Sequence, residues 1–458
     1  MTPAPATEGP PSWAPYRPKA DAPWDLRRVV HLHRRAGFGA TWNEIERDLA
    51  EGPEASLDRL LAGSRPDGET GRFEETAARL AEAAVARRQP GQLQAWWIYR
   101  MLRTADPLSE QLTLMWHNHF ATSNLKVDDV ELMWRQNEMF RRLGRSPFGD
   151  LLRSAVHDAA LLVWLDAPSN RFGAPNENLA RELLELFTLG VGNYAEADVK
   201  QAARVLTGWT VRDGQWRDDP QRHDPGGKTV LGRSGPWRTD DLVGILLDHR
   251  ATAHRIAWRI CDHFLGSAAL DATAVDELAE GLRKHNLDIG WAVGTVLSSA
   301  RFFDEASIGS RIVPPVDYVL SAVRGLEQTA SGPSPAVLAD WVAELGQELF
   351  YPPNVGGWPG GRSWLSPRTM IARVRFASEL AEGRLRHPAG PPDVAALARQ
   401  HGFGHSTEQV LDFLDRLLFG GSLDQAGRAQ ILSALDPPGM ASGRLLARLL
   451  ASTRAQLG

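Results

Sequence analysis

From Asp25 onward the apolar residues recur at intervals of three and four, broken only by short polar or Gly/Pro stretches, and this spacing commits the chain to helices. It is plain in Leu108 to Phe120, Val130 to Leu143 and Asp241 to Phe264. Helix starts carry caps: Thr41 with Glu44 fits a capping box, and Asp106-Pro107 puts a cap before a proline at the first helical position. Strand alternation is scarce. Thr210 to Trp237, rich in Gly, Asp and Trp, reads as a long loop or one short hairpin inserted around 210–237. The expected fold class is all-α, a large multi-helix globular body.

A chain of 458 residues with 43% hydrophobic residues can sustain its own core without bridges or metals. Its single cysteine, Cys261, excludes an intramolecular disulfide and any cysteine-rich metal site. Fifty-one basic against 56 acidic residues, net −5, give no electrostatic case for nucleic acid. No run of about 18 uncharged apolar residues is present, so no membrane span is expected. Seven prolines in the first 23 residues, with no apolar core of a signal peptide, predict a disordered leader over 1–24 and a cytoplasmic location. The main helical domain is expected over 25–386. Beyond the Gly/Pro-rich break at His387 to Pro392, a C-terminal helical cap is expected over 387–458, its helices beginning near Asp393.

The densest polar pattern runs from Asn176 to Gly190. Asn176 suits a cap and Gly190 a stop. At about 100° per residue, Glu177, Asn178, Arg181, Glu182 and Glu185 share one arc, with the leucines and Phe187 opposite. Two readings stay open: a solvated face laced with weak ion pairs, or a buried face on which three carboxylates around Arg181 take different pKa values and supply one acid and one base.

Trp116-His117-Asn118-His119-Phe120 ends another helix. His119 joins the stripe of Leu112, Met115 and Trp116, whereas His117 points to nearly the opposite side, so a regular helix cannot clasp one metal with both. His119 reads either as a core histidine held by one hydrogen bond or as a proton carrier near the Glu182 helix, with Asn118 and Asn178 orienting substrate. In His223-Asp224-Pro225-Gly226-Gly227-Lys228-Thr229 the Gly-Lys-Thr lacks the glycine that a phosphate loop needs at position 222, which is arginine. What remains is a flexible loop offering His223, Asp224 and Lys228, either to a cleft or to solvent. Gly356-Gly357-Trp358-Pro359-Gly360-Gly361 places Trp358 on a glycine-rich loop, either as a flat stacking surface for a sugar or as core.

These blocks, together with His33-Arg34-Arg35-Ala36-Gly37-Phe38-Gly39, Leu206-Thr207-Gly208-Trp209 and Pro352-Pro353-Asn354 leading into the Trp358 loop, resemble in order the bacterial family catalogued as domain of unknown function 1800. The resemblance covers nearly the whole chain from Asp25. It implies a large helical fold and a sulfatase-like protein partner, with no activity assigned, and it favours burial of the Asn176 face because its recognisable blocks are polar.

The expected function is acid/base hydrolysis or group transfer on an oxygen-rich substrate, a glycan being the favoured class. Glu182 or Glu185 would act as base and His119 or His223 as proton partner. Trp116, Asn118, Asn176, Glu177, Asn178, Arg181, Asp224, Lys228 and Trp358 would bind substrate. One alternative is a divalent-metal or non-haem iron site built from His119, His223 and carboxylates of the Asn176 helix. Another is a non-catalytic binding or assembly partner of the sulfatase-like protein.

Overall fold

The computed structural model describes residues 11–63, 68–329, 331–385, 390–433 and 441–458. Among them helices dominate, and the paired strands form two small two-stranded sheets. The capping logic is realised at atomic level. Thr41 Oγ1 accepts from the Glu44 amide (3.3 Å) while the Glu44 carboxylate accepts from the Thr41 amide (2.7 Å). Asp106 accepts from the Ser109 amide at 3.1 Å and starts the helix Pro107–His119. The stretch Asp241 to Phe264 is two helices, Thr239–Asp248 and Arg250–Leu265, because His249 leaves helical geometry and its Nδ1 accepts from the Ala251 amide (3.2 Å).

Two apolar cores lie side by side. The first gathers Trp97, Val316, Trp341, Phe376, Phe413 and Leu445; the second gathers Trp116, Phe148, Leu183, Ile260, Val293 and Phe302. Pro107–His119 runs between them. Every residue from Glu110 to His117 is buried, with Leu114 in the first core and Leu112, Met115 and Trp116 in the second. Burying a Leu, Met or Phe side chain contributes roughly 1.5–3 kcal/mol, so this helix is fixed from both sides. Its one carboxylate, Glu110, is 1% exposed and accepts from Arg100 Nε (3.0 Å), Arg141 Nε (2.6 Å) and Trp97 Nε1 (3.0 Å).

Part of the expected leader is ordered against the body. Positions 1–10 lie outside the described residues, but Trp13 is 2% exposed and its Nε1–H donates to the Ala274 carbonyl at 2.9 Å, while Pro15 bridges to Ser299. Burial of the indole overrides the proline content there. The expected break at His387 to Pro392 lies partly outside the described residues. After it, Asp393 caps the helix Val394–Gln400, and Thr407–Phe419 and Ala441–Ala451 pack on Leu26–Ala36 and Pro367–Ala381 within the first core.

The Gly/Trp-rich insertion holds two hairpins where one was expected. β1 (Trp209–Arg212) pairs with β2 (Gln215–Asp218), and β3 (Lys228–Val230) with β4 (Arg233–Gly235). Asp213-Gly214 and Leu231-Gly232 both take positive φ at their two turn positions, the geometry of two-residue hairpin loops.

Candidate functional site

The Asn176 segment is an α-turn, Asn178–Glu182, that runs into a π-helical stretch, Leu183–Thr188, and stops at Gly190 (φ +79°). Asn176 Oδ1 accepts from the Asn178 amide (2.9 Å), so this side chain acts one residue ahead of the helix N-cap, Glu177. Leu183, Leu184 and Phe187 are buried, while Glu177, Asn178, Arg181, Glu182 and Glu185 are half-buried. Arg181 pairs with Glu177 at 3.0 Å and with Glu196. Glu185 accepts from the Tyr194 hydroxyl, whose pKa is pushed up to about 12 by burial and by that carboxylate. Burial and the neighbouring Glu185 charge raise the pKa of Glu182, against the pull of Arg181. This face is therefore a partly wetted ion-pair surface with one carboxyl, Glu182, displaced toward the neutral form.

The π-turn shifts the backbone ladder, and carbonyls there take partners from elsewhere. His119 Nε2–H donates to the Phe187 carbonyl (3.1 Å), and Arg255 Nε donates to the Leu186 carbonyl (3.2 Å). His119 is 4% exposed among Trp116, Phe120, Phe148 and Phe187. Burial, with Arg259 and Arg255 nearby, holds its imidazole neutral far below the usual histidine range. His119 thus meets the polar helix on its apolar, backbone side, away from the carboxylates. Trp116 is fully buried and donates Nε1–H to the Gly144 carbonyl at 2.9 Å, so the indole serves the core and not a ligand.

On the opposite face, His117 sits among Trp97, Phe140, Phe350 and Trp358 with neither ring nitrogen hydrogen-bonded, and burial lowers its pKa to about 3. Trp358 is 4% exposed and packs on this ring, so its face is closed to a sugar. Asn118 fixes the Trp358 loop: its Oδ1 accepts from the Trp358 amide at 2.7 Å. The loop passes so close that a Cβ on Gly357 (φ +83°) would lie 2.1 Å from that oxygen. Asn118 and Trp358, expected at a substrate, hold each other instead.

The insertion forms an open cleft of about 470 Å³ lined by Phe172, Gln221, His223, Lys228, Arg238 and three prolines. Among these lining residues three are basic and none is acidic. Thr207 and Gly208 lie against the loop that carries His223. A Cβ on Gly208 (φ +95°) would meet the Asp219 carbonyl at 2.7 Å, so only glycine lets the two segments approach. His223 Nδ1–H donates to the Thr207 carbonyl (3.0 Å), which leaves Nε2 with its lone pair. Lys228 Nζ stands 3.4 Å from that Nε2 and donates to the Asp224 carbonyl (2.5 Å) and the Trp237 carbonyl (3.4 Å). The lysine is 2% exposed, and burial lowers its pKa despite Asp224, with Arg204 and Arg238 adding to the fall. Asp224 faces the other way. It accepts from Arg204 Nε (2.7 Å) and Nη2 (3.2 Å) and from the Gly226 amide (2.8 Å), fixing the loop and not a ligand.

The three expected segments are joined, but they do not line one hollow. The helix Glu196–Val205 separates them: Arg181 binds Glu196 at its start, and Arg204 near its end binds Asp224, about 12 Å along the axis at 1.5 Å per residue. Asn176 lies at the cleft end, its amide donating to Asn170 Oδ1 (2.9 Å), while Asn170 Nδ2 donates to the Ala203 carbonyl (2.8 Å). Neither His119, Glu182 nor Glu185 lines the cleft. Among the described residues no group of three or more His, Cys, Asp or Glu side chains is arranged to hold a metal ion, so the expected metal set does not assemble. Sequence reasoning missed Phe172, Gln221 and Arg238. The signals were weak: an aromatic in a polar loop, and an arginine just before the helix Thr239–Asp248.

In comparison with known proteins, the profile of the family described as "Protein of unknown function (DUF1800)" matches residues 31–457. No curated protein and no solved structure matches the chain.

Proposed function

The chain belongs to the DUF1800 family, and from its cleft we propose that it is an enzyme of hydrolytic or group-transfer type, working by acid–base chemistry on an oxygen-rich substrate. The observation that carries this reading is the His223–Lys228 pair. The Thr207 carbonyl fixes the tautomer of His223, so that Nε2 can accept a proton from a bound hydroxyl or water. Lys228 beside it stabilises negative charge as it develops and returns a proton to the leaving oxygen. The long 3.4 Å contact between them is readily exchanged for substrate. A glycan derivative suits the prolines and Phe172 of the cleft wall, whose apolar faces match sugar C–H surfaces.

In this reading the base role belongs to His223 rather than to Glu182 or Glu185, which stand at the far end of the Glu196–Val205 helix. The test is turnover of a panel of sugar esters and glycosides. His223→Asn should lower kcat/KM by at least about 10²-fold with the fold unchanged. Wild-type rates in that variant would take the base role from His223, and no turnover of any member of the panel by the wild-type chain would leave the non-catalytic partner of a sulfatase-like protein. Activity lost on chelation and restored by a divalent cation would move the chemistry to a metal.

A further inference from the structure

The cleft also carries information about what it holds. We infer that its ligand bears a tetrahedral oxyanion, a phosphate or sulfate monoester, seated between Lys228 and Arg238 beside His223. This rests on the cleft being the substrate site.

The chain carries a net charge of −5, yet the cleft lining sets two cations, Lys228 and Arg238, beside His223 with no acidic side chain among them. Of the carboxylates in the same insertion, Asp224 is committed to Arg204, and Asp218 pairs with the cleft's own Arg238. Among the described residues no carboxylate pairs with Lys228 although it is 2% exposed, and its three donors meet two carbonyls and an imidazole nitrogen. One of these contacts is short and two are 3.4 Å. An anion would replace the two long contacts with charge-assisted bonds.

Arg238 supplies the second cation. Its pairing with Asp218 is long, 3.3 Å, and its side chain is 60% exposed, so this ion pair holds it weakly and it can turn inward to a bound anion. Gln221 adds an uncharged amide donor on the same wall. A volume of about 470 Å³ exceeds what a lone tetrahedral ion fills, and the remaining wall is Phe172, 58% exposed, with the prolines. That pairing of a cationic pole with an apolar wall fits an ester of an organic group better than a free ion.

The experiment is calorimetric titration of the full chain with inorganic phosphate, inorganic sulfate, glucose 6-phosphate, glucose 6-sulfate and glucose at two salt concentrations. We expect the two monoesters to bind at least tenfold tighter than glucose, with affinity falling as salt rises. Arg238→Gln and Lys228→Met should each weaken monoester binding at least tenfold. Arg238 is exposed, so its variant reports on binding even where the buried Lys228→Met disturbs the fold. The phosphate and sulfate arms separate the two anions. Equal binding of glucose, or monoester binding unchanged in Arg238→Gln, overturns the inference. Tight monoester binding without turnover of any substrate would sink the enzyme reading and leave this one standing; His223-dependent turnover of neutral sugars without anion binding would do the reverse.

Discussion

Glu110 shows how one residue's charge fixes its neighbourhood. Burial alone would raise its pKa, but Arg141 and Arg100 outweigh burial and hold the carboxyl down at about 2. Asp48 is held near the same value against burial by His33 and Arg47. A folded-state pKa below the unfolded one stabilises the protein above the unfolded value, and that stability is lost as pH falls through the folded value. The urea midpoint should therefore fall between about pH 4.5 and 2, and Glu110→Gln, at a cost of about 3–5 kcal/mol, should flatten the acid limb. A midpoint independent of pH across that window would show that these pairs do not hold the fold. His117 makes the opposite prediction. With both nitrogens unbonded, His117→Leu should leave the melting temperature unchanged or raise it, because an apolar group there removes an unmet hydrogen-bonding demand. The opposed directions of His117 and His119 were readable from helical angle alone, but their surroundings were not, since these come from Phe350, Trp358 and Phe187, far away in the chain.

At the scale of elements, local signals in the chain predicted local structure well. Thr41 with Glu44, Asp106-Pro107 and Gly190 stand where helices start and stop. Asp213-Gly214 is a strong hairpin dipeptide, whereas Leu231-Gly232 carries no comparable signal because leucine seldom takes positive φ. The second hairpin was accordingly invisible. So was the π-helical stretch Leu183–Thr188, whose exposed carbonyls are met by His119 and Arg255 from two other helices. The Trp358 loop offers a test at this scale. Gly357→Ala should cost about 1–3 kcal/mol, since the residue needs positive φ and the methyl would overlap Asn118. Denaturant unfolding measures this, and an unchanged midpoint would mean that the loop moves freely away from the helix end.

Over the whole molecule, the helical class was legible from periodicity, while the arrangement of two cores about a shared helix was not, because periodicity says nothing of which faces meet. The polar blocks pointed to one hollow. The structure instead divides them between a helix junction and a cationic cleft, since His119 and Trp358 are claimed by packing. The C-terminal helices contribute Phe413, Leu414, Leu445 and Leu449 to the same core as Val30 and Phe376. A chain ending at residue 385 should therefore bind a hydrophobic dye and lack a cooperative melt; a sharp transition would show that the preceding part folds alone. The helix Pro107–His119, pressed between the cores, has a consequence for variation. With Glu110 to Trp116 wholly enclosed, that stretch has no position where change goes unnoticed, and a saturation scan of it should find intolerance at successive residues rather than the every-third-or-fourth rhythm of an ordinary amphipathic helix.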